Sequence, residues 1–314
     1  MLCAEPASAQ QNINSMTLRD VGDAALQWRL PLLGALTALI FALLWAIGVV
    51  QPGALKKSGL RDLSPFPWPM WLFAAIIIFI TMAMSQELVA KQVWLTSGDP
   101  ASLRGIAATS IGVYALTLVV AIGMLMLFSR SASGAGLKTT SSDLPLGIIC
   151  LVIALPAILL VSDLLRRMYE SISGVEMTAV AHPMLRQIVS QPEDVWTWAL
   201  IGSAVIGAPV VEEIIYRAFF QSAILKWTGM PWIAILVTSA LFAGAHAVGN
   251  DAVDYYALGP IFVLSIAMGL AYERTKHIGV PIVMHMGFNA LNIAIALWGT
   301  AGVNEMAMPT TTPL

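Results

Sequence analysis

Apolar runs long enough to cross a lipid bilayer recur along almost the whole of this 314-residue chain. A helix needs about 20 apolar residues to cross ~30 Å of hydrocarbon. Measured against that length, the runs at 31–50, 69–84, 105–128, 144–161, 195 onward, 232–247, 256–272 and 279–299 predict about eight spans. The run at 69–84 is short and reads as interfacial or re-entrant. Lipid offers backbone groups no water to bond, so spanning segments of this kind must be helical. The expected fold class is all-α, a polytopic transmembrane helical bundle.

Composition closes off the alternatives. The chain is 58% hydrophobic and 11% charged, whereas a soluble domain carries about a quarter charged residues. A net charge of −2 gives nucleic acid no electrostatic purchase. Cys3 and Cys150 are the only cysteines, which argues against a disulfide framework and excludes a thiolate metal site.

Residues 1–30 read as a polar N-terminal tail. Ala7-Ser8-Ala9-Gln10 resembles a signal-peptidase site, but no apolar stretch precedes it; a disordered tail, or a start assigned too far downstream, are the two readings. Residues 31–165 hold the N-terminal transmembrane helices, within which the Gly/Ser/Thr-rich stretch 129–143 reads as a flexible loop. Residues 166–194 form an interfacial segment, 195–300 a C-terminal core of four helices, and 301–314 a C-terminal tail. Lys226 and Lys276 lie in loops expected on the cytoplasmic side by the positive-inside rule, and eight crossings then put the N-terminus outside.

Ionisable groups inside spans mark functional sites, and here they gather in the C-terminal core. One stretch reads Gly207-Ala208-Pro209-Val210-Val211-Glu212-Glu213-Ile214-Ile215-Tyr216-Arg217. Glu213 and Arg217 are four apart and can pair on one helix face. Glu212 is turned about 100° away with no local partner, which suits a general base. Pro209 lacks an N–H, so a kink or break is expected just upstream. Phe242 and His246 share one face of the sixth span, and His285 and Asn289 one face of the eighth. His277 is expected in a solvated loop, and His182 has no evident role.

A carboxylate base, two imidazoles and an amide are the parts of water-driven peptide hydrolysis with oxyanion stabilisation. Glu212, His246 and His285 also suit a three-ligand zinc site with one open position, so zinc and no cofactor both remain open. His-Glu-x-x-His and Gly-x-Ser-x-Gly are absent from the sequence. The depths conflict: His246 lies about 20 Å along its span and His285 about 9 Å along its own. A tilted or broken helix is needed to bring them level.

Glu212-Glu213…Arg217, then Phe242…His246, then His285…Asn289 resembles the CAAX protease and bacteriocin-processing (CPBP) family, the type II CAAX prenyl endopeptidases. The resemblance covers roughly residues 195–300 and carries all three motifs. It implies an intramembrane endopeptidase in which Glu212 and His246 activate water and His285 and Asn289 stabilise the oxyanion. Glu213, Arg217 and Phe242 support the architecture. It implies a membrane-embedded or lipid-anchored protein substrate, CAAX-type or related, and a multi-pass protein of a prokaryotic cell membrane. The family has been described both as metalloproteases and as glutamate-dependent enzymes. A non-catalytic scaffold or bacteriocin-immunity protein on the same fold, and a proton-coupled transporter, are the competing readings.

Overall fold

The computed structural model describes residues 18–97, 99–174, 183–248 and 253–307. The Ala7–Gln10 stretch, Cys3, His182, half of the C-terminal tail and part of the expected interfacial segment lie outside them. The described residues are helical and contain no strand. Besides a single helical turn at Ala54–Lys57, the helices are α1 (Leu18–Ala46), α2 (Trp68–Ser97), α3 (Leu103–Ser131), α4 (Asp143–Ser173), α5 (Pro183–Ser190), α6 (Val195–Thr228), α7 (Pro231–Ala245), α8 (Tyr255–Thr275) and α9 (Gly279–Ala307).

Among the described residues seven helices are long and apolar enough to cross a membrane, and α7 is a shorter apolar helix. The protein is therefore an all-α, multi-pass membrane bundle, with one expected crossing replaced by a short helix. The run at 69–84 is the other correction. It is the first half of α2, a helix of 30 residues. The continuation through Gln86, Glu87 and Lys91 was too polar for an apolar-run reading, yet helical periodicity carries on through it.

Helices α6 to α9 form the core. The α2–α3 pair packs against α6, α4 packs against α8 and α9, and α1 lies outermost on α4. Small residues let these backbones approach, as is usual where lipid supplies no hydrophobic drive between helices. A Cβ on Gly207 would stand 3.1 Å from the Tyr114 ring of α3, and one on Gly147 would stand 2.6 Å from Val283 of α9. At one end of the bundle Phe66, Trp71, Phe128 and Phe219 make an aromatic cluster joining α2, α3 and α6. At the other, Leu103, Ile188, Leu200 and Ile293 join α3, α5, α6 and α9.

The stretch 129–143 is not a loose loop. Ala132, Ala135 and Leu137 are buried, and the segment bonds its neighbours: Asp62 N–H donates to Gly134 O and Ile278 N–H to Gly136 O. Glycine and serine here serve close packing rather than freedom. Gly136 sits at φ +80° with Lys276 O and Arg61 Cδ against it. His277 is likewise tied in, with Nδ1 2.8 Å from Asp143 Oδ1. α4 continues to Ser173, so the first residues of the expected interfacial segment belong to this helix.

Candidate active site

The chain through α6 stays helical but changes pitch twice. Ser203–Gly207 and Ile214–Gln221 are π-helical, flanking the α-helical turn Ala208–Glu213. The expected break at Pro209 is thus a widened turn. Its cause can be followed bond by bond. Ala208 N–H reaches back five residues to Ser203 O. The next bond in that register would run from residue 209 to Ala204 O, and proline has no N–H to give. Asn289 Nδ2 fills the vacancy, donating to Ala204 O at 2.9 Å. One amide hydrogen of Asn289 is therefore committed to holding α6 in its widened form.

The second π-helical stretch follows directly after the two glutamates. A turn wider than 3.6 residues brings residues four apart closer to a single line. Glu213, Arg217 and Gln221 accordingly make one buried polar strip. Glu213 Oε2 accepts from Arg217 Nε at 3.0 Å, and Glu213 Oε1 lies 3.1 Å from His285 Nδ1. Arg217 also donates to Ser265 Oγ at 2.6 Å and Gln221 Oε1 at 3.4 Å. Gln221 Nε2 donates to Gly269 O at 3.2 Å and Glu273 Oε1 at 2.8 Å. The facing strip of α8, Ser265, Gly269 and Glu273, has the same spacing of four. A Cβ at Gly269 would stand 2.9 Å from Gln221 Oε1, so glycine is what lets the two strips meet.

Glu212 differs from its neighbour in every respect. Its Oε2 is buried and has no hydrogen-bond partner. A buried polar oxygen without a partner carries the full cost of lost hydration, and such an atom is available to a water or a substrate group.

His246 stands at the C-terminal end of α7, where the last helical carbonyls lack intrahelical donors. Its Nδ1 is 2.9 Å from Phe242 O. A carbonyl oxygen can only accept, so Nδ1 is the donor, and in the neutral ring Nε2 carries the lone pair. At fifteen residues, α7 extends only ~22 Å at 1.5 Å per residue. A helix that stops at membrane depth is tolerated where its end lines protein or water.

Phe242 brings the pieces together. Its ring contacts His246 at 4.9 Å, His285 at 5.5 Å edge-on and Tyr216 at 5.1 Å edge-on, and the Arg217 guanidinium lies 5.6 Å from it. Helical side chains lean toward the N-terminus, which draws both α7 rings back toward the depth of His285. The conflict in depth is resolved by this phenyl bridge, and by α7 being short. Tyr216 lies four residues after Glu212, so the unpartnered carboxylate is on the turn adjoining the stack.

The zinc expectation meets a different geometry. No three His, Cys, Asp or Glu side chains among the described residues converge closely enough to hold a metal ion. Glu212, His246 and His285 are not gathered into a three-ligand set; the Phe242 ring touches both imidazoles.

Ser265, Gly269, Gln221, Glu273 and Arg61 were not singled out in the sequence. The repeats of four on α6 and α8 are the signal that marks the first four, while Arg61 has none.

Residues 194–291 match the family described as Type II CAAX prenyl endopeptidase Rce1-like. The same stretch length of 98 residues is 33% identical to the "Putative membrane peptidase YdiL" of Bacillus subtilis (strain 168), covering 31% of this chain and 37% of that protein. The chain thus matches little more than a third of that relative's length. No solved structure matches the chain. The family match runs from the start of α6 into α9, so the similarity falls on the C-terminal core.

Proposed function

We propose that α6 to α9 form the active site of an intramembrane endopeptidase. The observation that carries this reading is the unpartnered, buried Oε2 of Glu212 on the turn beside the His246–Phe242–His285 stack. Glu212 takes a proton from water as the oxygen attacks the scissile carbonyl carbon, and His246 Nε2 orients that water. The carbon–nitrogen bond then breaks and the proton passes to the leaving amine. His285 and the second amide hydrogen of Asn289 face the developing oxyanion. Donation from His285 Nε2 requires the doubly protonated ring, for which Glu213 is the counterion. Arg217 neutralises Glu213 and keeps it directed at His285.

The substrate class follows from the site's depth. A bond cleaved within the bundle must belong to a membrane-embedded or lipid-anchored chain, and CAAX-type substrates fit that description. Zinc is given no step, since the residues present do not converge on one.

The test is cleavage of quenched-fluorescent peptides, prenylated and unprenylated, by the purified protein in nanodiscs. Wild-type protein cleaves, and Glu212→Gln lowers the rate by about 10²- to 10⁴-fold with the fold retained. A wild type that cleaves none of them overturns the assignment. Equal cleavage by Glu212→Gln removes Glu212 from the mechanism.

A further inference from the structure

The polar strip does not end at α8. Glu273 Oε1 lies 2.7 Å from Arg61 Nη2, and Arg61 Nε contacts both Glu273 oxygens at 3.1 and 3.2 Å. Arg61 belongs to the segment between α1 and α2, well outside the family match. Its remaining donors are also used: Nη1 reaches Ser222 Oγ at 2.7 Å, Ala135 O at 3.0 Å and the Tyr272 hydroxyl at 3.1 Å. The guanidinium stacks 4.1 Å from the Tyr272 ring centroid. Burial opposes the charge on Arg61, but Glu273 and Tyr272 more than offset it and hold the guanidinium above its ordinary pKa. It is a fixed positive charge at any working pH.

An unbroken buried line therefore runs His285, Glu213, Arg217, Gln221, Glu273, Arg61. Beyond His285 it contains two cations and two anions, and one neutral amide separates the two pairs. Gln221 fits in one orientation only, amide nitrogen toward Glu273 and oxygen toward Arg217. We infer that Arg61 is a positioning residue for Glu213 and His285, acting through Glu273, Gln221 and Arg217. With Arg61 in place, Glu273 is neutralised at its far side and Arg217 remains devoted to Glu213. With Arg61 removed, the uncompensated Glu273 competes for Arg217, and the Glu213–His285 contact loosens. The inference builds on the endopeptidase reading for its catalytic consequence, while the wiring itself is independent of it.

The test uses the full chain in nanodiscs with ¹⁵N-imidazole labelling. Only four histidines are present, so the His285 signal can be assigned with His285→Gln. Arg61→Met is expected to move the His285 signal and leave His277 in place. Arg61→Met/Glu273→Gln, which removes both charges, returns it toward the wild-type position. On a cleaved peptide, Arg61→Met lowers kcat about tenfold with KM changed less than about twofold, and the double variant recovers most of the loss. Should Arg61→Met not fold, Arg61→Gln gives the same readout, because it too leaves Glu273 without its cation. An unmoved His285 signal in a folded single variant, or no recovery in the double, overturns the proposal. A wild type that cleaves nothing while the His285 shift and its recovery persist overturns the endopeptidase reading and leaves the wiring standing.

Discussion

Helices α1 and α6 have nearly equal mean hydropathy, 1.8 and 1.6, yet none of the most apolar window of α1 is buried against 50% of that in α6. The two teach what an apolar run does and does not specify. In α1, Leu36, Leu39, Phe41, Leu43 and Trp45 are exposed, and the helix touches the bundle through α4. Its polar tie is Arg29 to Asp163, close enough for an ion pair at 2.8 Å but not aligned as a hydrogen bond, since Asp163 Oδ2 lacks a hydrogen-bond partner. In α6, a wholly buried Glu213–Arg217 pair, a Pro209 and two π-helical turns interrupt an equally apolar sequence. Lipid is satisfied by any apolar surface, whereas neighbouring helices must match α6 atom by atom.

Substitutions sharpen that contrast. The largest stability effect is expected at Arg217. Arg217→Met strands the buried Glu213 carboxylate and costs about 3–5 kcal/mol, read from chemical unfolding in mixed micelles. Next comes Asn289→Leu, which deprives Ala204 O of its donor and costs about 1–3 kcal/mol. Pro209→Ala restores an N–H at the register position that Ala204 O lacks. The Asn289→Leu cost should therefore shrink in a Pro209→Ala background, and a double-mutant cycle measures the coupling. If the two changes are additive, the account of the first widened turn is wrong. Gly269→Ala forces a methyl into Gln221 Oε1 and is expected to cost about 1–3 kcal/mol by overpacking. Smallest of all, Leu39→Ala on the lipid face of α1 should stay within about 0.5 kcal/mol. A loss there comparable to Asn289→Leu would mean that α1 is packed against something, and the comparison with α6 would fail.

The predictions also separate what could be foreseen. Glu213 and Arg217 meet because residues four apart on a helix must be neighbours, and no tertiary information is needed for that. The Phe242–His246 contact is local for the same reason. Glu212 was separable from Glu213 by rotation alone. Asn289 was legible as a site residue, but not its bond to Ala204, which depends on how α9 lies across α6. The stretch 129–143 misled because glycine and serine suit a loose loop and a tightly packed one equally. Glu273 and Gln221 carry no motif, and their contact depends on how α8 lies along α6.

The order of apolar runs by itself determined a helical membrane bundle, and spacing within single helices determined the motif pairs. Those follow from lipid's demand for internal backbone bonding and from the helical repeat, both properties of contiguous chain. Only the tertiary structure decided that α7 would be short, that one phenyl ring would touch both imidazoles, and that Arg61 would close a buried charge line begun at His285. Each of these depends on which faces of distant helices meet, and hydropathy is blind to faces when every side of a helix is apolar.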